Sequence, residues 1–140
     1  MPDTPATSGA FDLAAIVKNF PATADTMLID TRLTDEQEAS CRVFRIYRTV
    51  PAHYHATCDE YLFVVSGRCL FTMGEMAPFE AGPGQLVFFK KGTVHAIVPT
   101  GDVPLVFLSV DTPRRDPKDV IFVNPADGTP ETFIQTRKLY

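Results

Sequence analysis

The sequence predicts an all-β domain, a small sandwich or barrel preceded by one short helix, and three observations carry that prediction. Apolar and β-branched runs recur along the chain, each closed by Gly, Pro, Asp or Ser. Eleven Phe and 4 Tyr without Trp, together with 12 Pro and 8 Gly, favour short strands and tight turns over long helices. The runs follow one another at spacings of about 8–12 residues, the rhythm of a sandwich or barrel.

Taken in order, residues 1–10 are polar, contain Pro and read as a disordered tail. Phe11, Leu13, Ile16, Val17 and Phe20 recur at helical spacing, so a short amphipathic helix is expected over Phe11–Phe20, stopped by Pro21. Thr26–Leu33 reads as a first strand and Thr34–Glu38 as a charged turn. Val43–Val50 is a strand ended by Pro51, and Tyr61–Val65 and Arg68–Met73 form a hairpin about Ser66-Gly67. Gly74–Glu80 is a loop; Leu86–Phe89, Val94–Val98 and Leu105–Val110 are strands between Gly-containing turns. Beyond Pro113 only Val120–Val123 reads as a strand. Residues 41–112 thus make the barrel core of one domain spanning 1–140.

Several runs, such as Leu62-Phe63-Val64-Val65 and Leu86-Val87-Phe88-Phe89, are apolar on both faces. A small barrel buries only its inward face, so the outward face needs a homodimer partner or cover from the terminal segments. The net charge of −4 and the lack of a basic block speak against nucleic acid and anionic membranes as partners. Three cysteines without a C-x-x-C spacing, no signal-peptide pattern and no spanning apolar stretch lead us to expect a cytoplasmic protein.

The chain has 3 histidines. His53 and His55 form an H-x-H pair, whose side chains share one face of a strand. Glu60 heads a buried apolar run, where a carboxylate needs a partner, and His95 opens another predicted core strand. Imidazoles and a carboxylate converging in a barrel suit one divalent transition metal (Fe, Mn, Ni, Co, Cu or Zn) better than Ca or Mg. Arg45 and Tyr47 share a strand face and are candidates to line the pocket, with Arg45 able to bind a carboxylate, although Arg45 is equally an outward charge. Cys58 is read as a small buried filler rather than a redox-sensitive neighbour, and Phe71 and Met73 as packing inside the barrel.

His53-x-His55-x4-Glu60-x6-Gly67 resembles the first signature motif of the cupin superfamily, and Gly84-x5-Lys90-x-Gly92-x2-His95 resembles the second. The chain departs from that pattern at Tyr47, where Gly is usual, at Lys90 for Pro and at Pro99 for Asn. The resemblance implies a jelly-roll, or double-stranded β-helix, barrel with His53, His55, Glu60 and His95 as metal ligands. It leaves the chemistry open. A metal-dependent enzyme acting on a small organic molecule, with dioxygenase-like chemistry, is the favoured reading. The alternatives are a non-catalytic small-molecule binding or sensor protein with a structural metal, and a sugar isomerase or epimerase, which would want a cationic clamp such as Arg45.

Overall fold

The structure, a computed structural model, describes residues 8–140. The expected tail therefore falls largely outside the described residues; Ser8–Ala10 are exposed and irregular. Helix α1 covers Leu13–Val17, shorter than the expected Phe11–Phe20. Asp12 caps it by accepting from the Ala15 N–H, and a turn from the Asn19 N–H to the Ile16 carbonyl closes it before Pro21 is reached.

Eleven strands follow: β1 (Leu28–Asp35), β2 (Ser40–Ile46), β3 (Val50–Tyr54), β4 (Asp59–Ser66), β5 (Arg68–Met73), β6 (Phe79–Ala81), β7 (Leu86–Phe89), β8 (His95–Thr100), β9 (Leu105–Thr112), β10 (Ile121–Phe122) and β11 (Ile134–Thr136). A short 3-10 turn (Pro125–Asp127) and helix α2 (Pro130–Phe133) lie between the last two. The strands form two sheets, in the orders β11-β1-β2-β9-β4-β7 and β10-β3-β8-β5-β6. All pairings are antiparallel except β1 with β11. Their facing sides bury Phe44, Leu62, Val64, Phe71, Ile97 and Phe107, which is the jelly-roll arrangement the sequence led us to expect.

Three local readings are corrected. Ser66-Gly67 is a corner between sheets and not a hairpin turn: β4 pairs with β9 and β7, whereas β5 pairs with β8 and β6. Gly67 has φ +77°, and a Cβ there would lie 2.6 Å from the Pro104 carbonyl, so the corner needs glycine on both counts. Val43–Val50 is two strands, because Arg48 reaches the carbonyls of Ala24, Asp25 and Thr26 and the chain changes sheets around it. Pro51 lies inside β3, at a register shift between the pairs Val50–Ile97 and His53–His95 where its missing N–H costs no ladder bond. The expected loop Gly74–Glu80 also contributes its end to β6.

A second apolar cluster covers the outward face of β1, β2 and β9, where Ile16, Phe20 and Leu139 from the terminal segments pack on Ile29, Val43 and Val106. Among the described residues the outward face of β4 and β7 has no such cover: Tyr61, Phe63, Leu86 and Phe88 are exposed there. Among the described residues no helix is long and apolar enough to cross a membrane.

Candidate metal centre

His53 on β3 and His95 at the start of β8 are direct cross-strand partners, and His55 follows one residue after β3 ends. All three rings are buried, with one ligand nitrogen of each within 4.8 Å of the others. Each Nδ1 has a carbonyl partner: Pro51 for His53 at 2.8 Å, Asp119 for His55 at 2.7 Å and Thr93 for His95 at 2.9 Å. Carbonyls only accept, so each Nδ1 carries the proton and each Nε2 keeps a lone pair. The bulge at Pro51 is what frees the carbonyl that orients His53.

Burial keeps the rings neutral. It lowers His53 from the ordinary 6.5 to about 4 and depresses His55 and His95 as well, with the charge of Arg115 acting in the same direction on each. Three neutral imidazoles that present lone pairs to one another cannot hydrogen-bond among themselves, and the donor set fits a cation. Nitrogen ligands of one ion stand about 3–4 Å apart, so only a small closure is required.

Glu60, from β4, enters the site from the opposite sheet. Its Oε1 lies 3.5 Å from His55 Nε2, and its Oε2 accepts from Arg42 at 2.8 Å, Ser109 at 2.8 Å and Arg115 at 3.2 Å. One oxygen is thus anchored while the other faces the histidines, which suits a fourth ligand. Burial raises this carboxyl to about 7, with Arg115 and Arg42 pulling the other way.

Behind it lies a buried ionic stripe. Arg42, fully buried, donates to Asp111 at 2.8 Å and Asp30 at 3.1 Å as well as to Glu60. Burial alone would raise the Asp111 carboxyl, yet Arg42 and Arg115 hold it well below the usual carboxylate range. Arg115 was not singled out in the sequence. It sits in the irregular segment after β9, is 4% exposed, and places Nη1 2.8 Å from Nδ1 and 2.5 Å from Nε2 of His55.

The structure places the other candidates as follows. Arg45 and Tyr47 are not at the site; both bond the Pro21 carbonyl on the outer face, with the guanidinium over the Tyr47 ring. Arg42, of opposite parity on β2, is the arginine that points inward. Cys58 is buried, and burial pushes its thiol up to about 12, as fits an inert filler. Phe71 is buried and lies parallel to the His95 ring, centroids 6.4 Å apart, whereas Met73 is only partly buried at the edge of the core. Phe133 of α2 packs 5.2 Å from the His53 ring, so the unassigned C-terminal segment forms part of the wall. The cavity between these groups has a free volume of about 10 Å³, room for one water-sized sphere.

Residues 46–111 match the family model of the cupin domain. No curated protein matches the sequence. Among solved structures, the fold resembles an uncharacterized double-stranded β-helix protein from Klebsiella pneumoniae, at 19% identity over 78% of this chain and 93% of that one, TM-score 0.64. It also resembles the protein BH2720 from Bacillus halodurans, at 18% identity over 87% and 93%, TM-score 0.66. The DMSP lyase DddQ from Ruegeria pomeroyi is similar at 27% identity over 64% of this chain and 45% of its own length, TM-score 0.55. Domain match and architecture agree: residues 46–111 are a cupin domain, set in a double-stranded β-helix fold.

Proposed function

We propose that the chain binds one divalent transition metal through His53, His55, His95 and Glu60 and acts as a metal-dependent enzyme on a small organic molecule. The observation that carries this reading is the gathering of three buried imidazoles, each Nδ1 proton held by a carbonyl and one ring nitrogen of each within 4.8 Å of the others. When bound, such an ion supplies Lewis acidity and positions for a ligand or dioxygen. Dioxygenase-like chemistry is the reaction class we put first, since a borderline N/O donor set on an apolar wall suits a redox-active metal. The protein's own part is to orient the ligands, exclude bulk water through Phe133 and Leu62, and neutralise Glu60 with Arg42 and Arg115.

Metal analysis of protein purified without chelators, beside His53→Ala and His95→Ala, tests the centre. We expect about one equivalent in the native chain and little in either variant; equal content in all three refutes it. Oxygen uptake by the Fe(II)-loaded protein with diketones, thiols and catechols tests the chemistry, and silence across the panel refutes dioxygen activation. The narrow cavity favours a second reading, a binding or sensor protein whose metal is structural. It has no room for a sugar phosphate, and Arg45 lies too far outside to serve an isomerase as a clamp. We further propose that the uncovered face at Tyr61, Phe63, Leu86 and Phe88 joins two copies in a homodimer.

A further inference from the structure

We propose that Asp119, which lies outside the residues matched to the cupin domain, is the positioning residue for His55 and holds the ring and the chain beside it together. The inference rests on the metal reading above and names the residue that readies one of its ligands.

The three imidazoles are not held alike. His53 gives its Nδ1 proton to the carbonyl of Pro51, and His95 gives its own to that of Thr93, in each case two residues back along the chain. Local geometry therefore sets both rings. The acceptor for His55 is remote: its Nδ1 lies 2.7 Å from the carbonyl of Asp119, 64 residues further on. An imidazole in water exchanges its proton between the two nitrogens. The tautomer of His55 is thus the one that depends on a second segment of the chain.

The backbone at His55 depends on the same segment. Residues 55–58 link β3 in one sheet to β4 in the other and belong to neither ladder. The His55 carbonyl accepts from the Gly92 N–H at 2.7 Å, which fixes one side of the link. Its other side rests on the Asp119 carboxylate. One oxygen accepts from the Ala56 N–H at 2.8 Å, and the other accepts from the Thr57 N–H at 3.0 Å and the Thr57 hydroxyl at 2.6 Å. Asp119 is itself placed by the Asp116 carbonyl, which accepts from its N–H at 2.9 Å, and by β10, where Phe122 pairs with His53.

Ala56 and Thr57 are exposed, so without the carboxylate their donors turn to water at little cost. The carboxylate therefore does not serve to satisfy buried groups, and its effect falls on where His55 stands. A ring that leaves the Asp119 carbonyl is free to carry its proton on Nε2, the atom 3.5 Å from Glu60 Oε1. A protonated Nε2 has no lone pair for an ion.

The test compares native protein with Asp119→Ala, Asp119→Asn and Asn124→Ala, the last removing the cap of the 3-10 turn in the same segment without touching His55. Nitrogen-15 NMR of the metal-free proteins at neutral pH reads the tautomer of each histidine, and chelator competition reads Co(II) affinity. We expect all three native rings to carry the proton on Nδ1. In Asp119→Ala His55 alone should become a mixture of tautomers, with Co(II) bound at least about tenfold more weakly; Asn124→Ala should stay within twofold of native. His55 unchanged in Asp119→Ala, all three rings altered together, or an equal loss in Asn124→Ala overturns the proposal. If Asp119→Ala does not fold, Asp119→Asn keeps one acceptor oxygen where two are used, and native tautomers with Co(II) affinity within twofold there overturn it equally. Cobalt content no higher in native protein than in His53→Ala overturns instead the metal reading beneath it, while the metal-free tautomers still decide what holds His55.

Discussion

Acidifying the metal-free protein from about pH 7.5 to about pH 4.5 should unfold it from the metal centre outward. In the unfolded chain His53 takes up a proton near 6.5; in the folded one it resists until about 4, because the ring is desolvated. Between those values the unfolded state binds more protons, so stability falls as the pH falls through that window. The interval, at about 1.4 kcal/mol per pH unit, amounts to about 3 kcal/mol from this one ring once the pH is below both values. His55 and His95 are depressed in the same direction by burial and add to the loss. Glu60 opposes it: its carboxyl, raised by burial from 4.5 to about 7, gives stability that is full below 4.5 and lost as the pH rises through 7. Three imidazoles outweigh one carboxyl, and the net slope follows the rings. Urea unfolding followed by far-ultraviolet circular dichroism, with EDTA present and the pH stepped, measures this slope; His53→Gln should flatten it by its own share. A midpoint that holds or rises between pH 6.5 and 4.5, or a folded-state His53 ring titrating near 6.5, would refute the argument that burial keeps these donors neutral.

Arg42→Met leaves Asp30, Glu60 and Asp111 buried around an apolar side chain, and should cost about 3–5 kcal/mol in urea unfolding at neutral pH. A loss below about 1 kcal/mol would mean that water enters the stripe. Gly67→Ala should destabilise by at least about 2 kcal/mol, since it joins an unfavourable positive φ to a 2.6 Å approach to the Pro104 carbonyl; near-native thermal stability would contradict that corner. Phe88→Glu, at the uncovered face beside Tyr61, should convert a dimer to a monomer in light scattering without altering metal content. An unchanged mass would remove this face as the interface.

The barrel and the histidines were legible because their signals are local. Strand alternation and turn residues mark β4, β5, β7, β8 and β9 nearly to their ends, and an H-x-H pair in a chain with 3 histidines leaves few other groupings. The charged half of the site was less legible, for two different reasons. Arg115 belongs to an irregular segment and reads in sequence as half of an Arg-Arg pair; only the chain path after β9 brings it to His55. Arg42 was readable in principle. Ser109 and Asp111 interrupt an apolar strand at i and i+2, and Ser40 and Arg42 do the same in β2, so each pair shares one face. The register sets Arg42 against Ser109 and Ser40 against Asp111. Polar residues of one parity in two adjacent core strands therefore announce a buried ionic stripe, and that parity, more than the choice between Arg42 and Arg45 taken singly, shows which arginine faces inward. The same rule explains Glu60, which pairs with Asp111 across β4 and β9. Two carboxylates side by side on an inner face require cations, and the chain supplies them as Arg42 and Arg115.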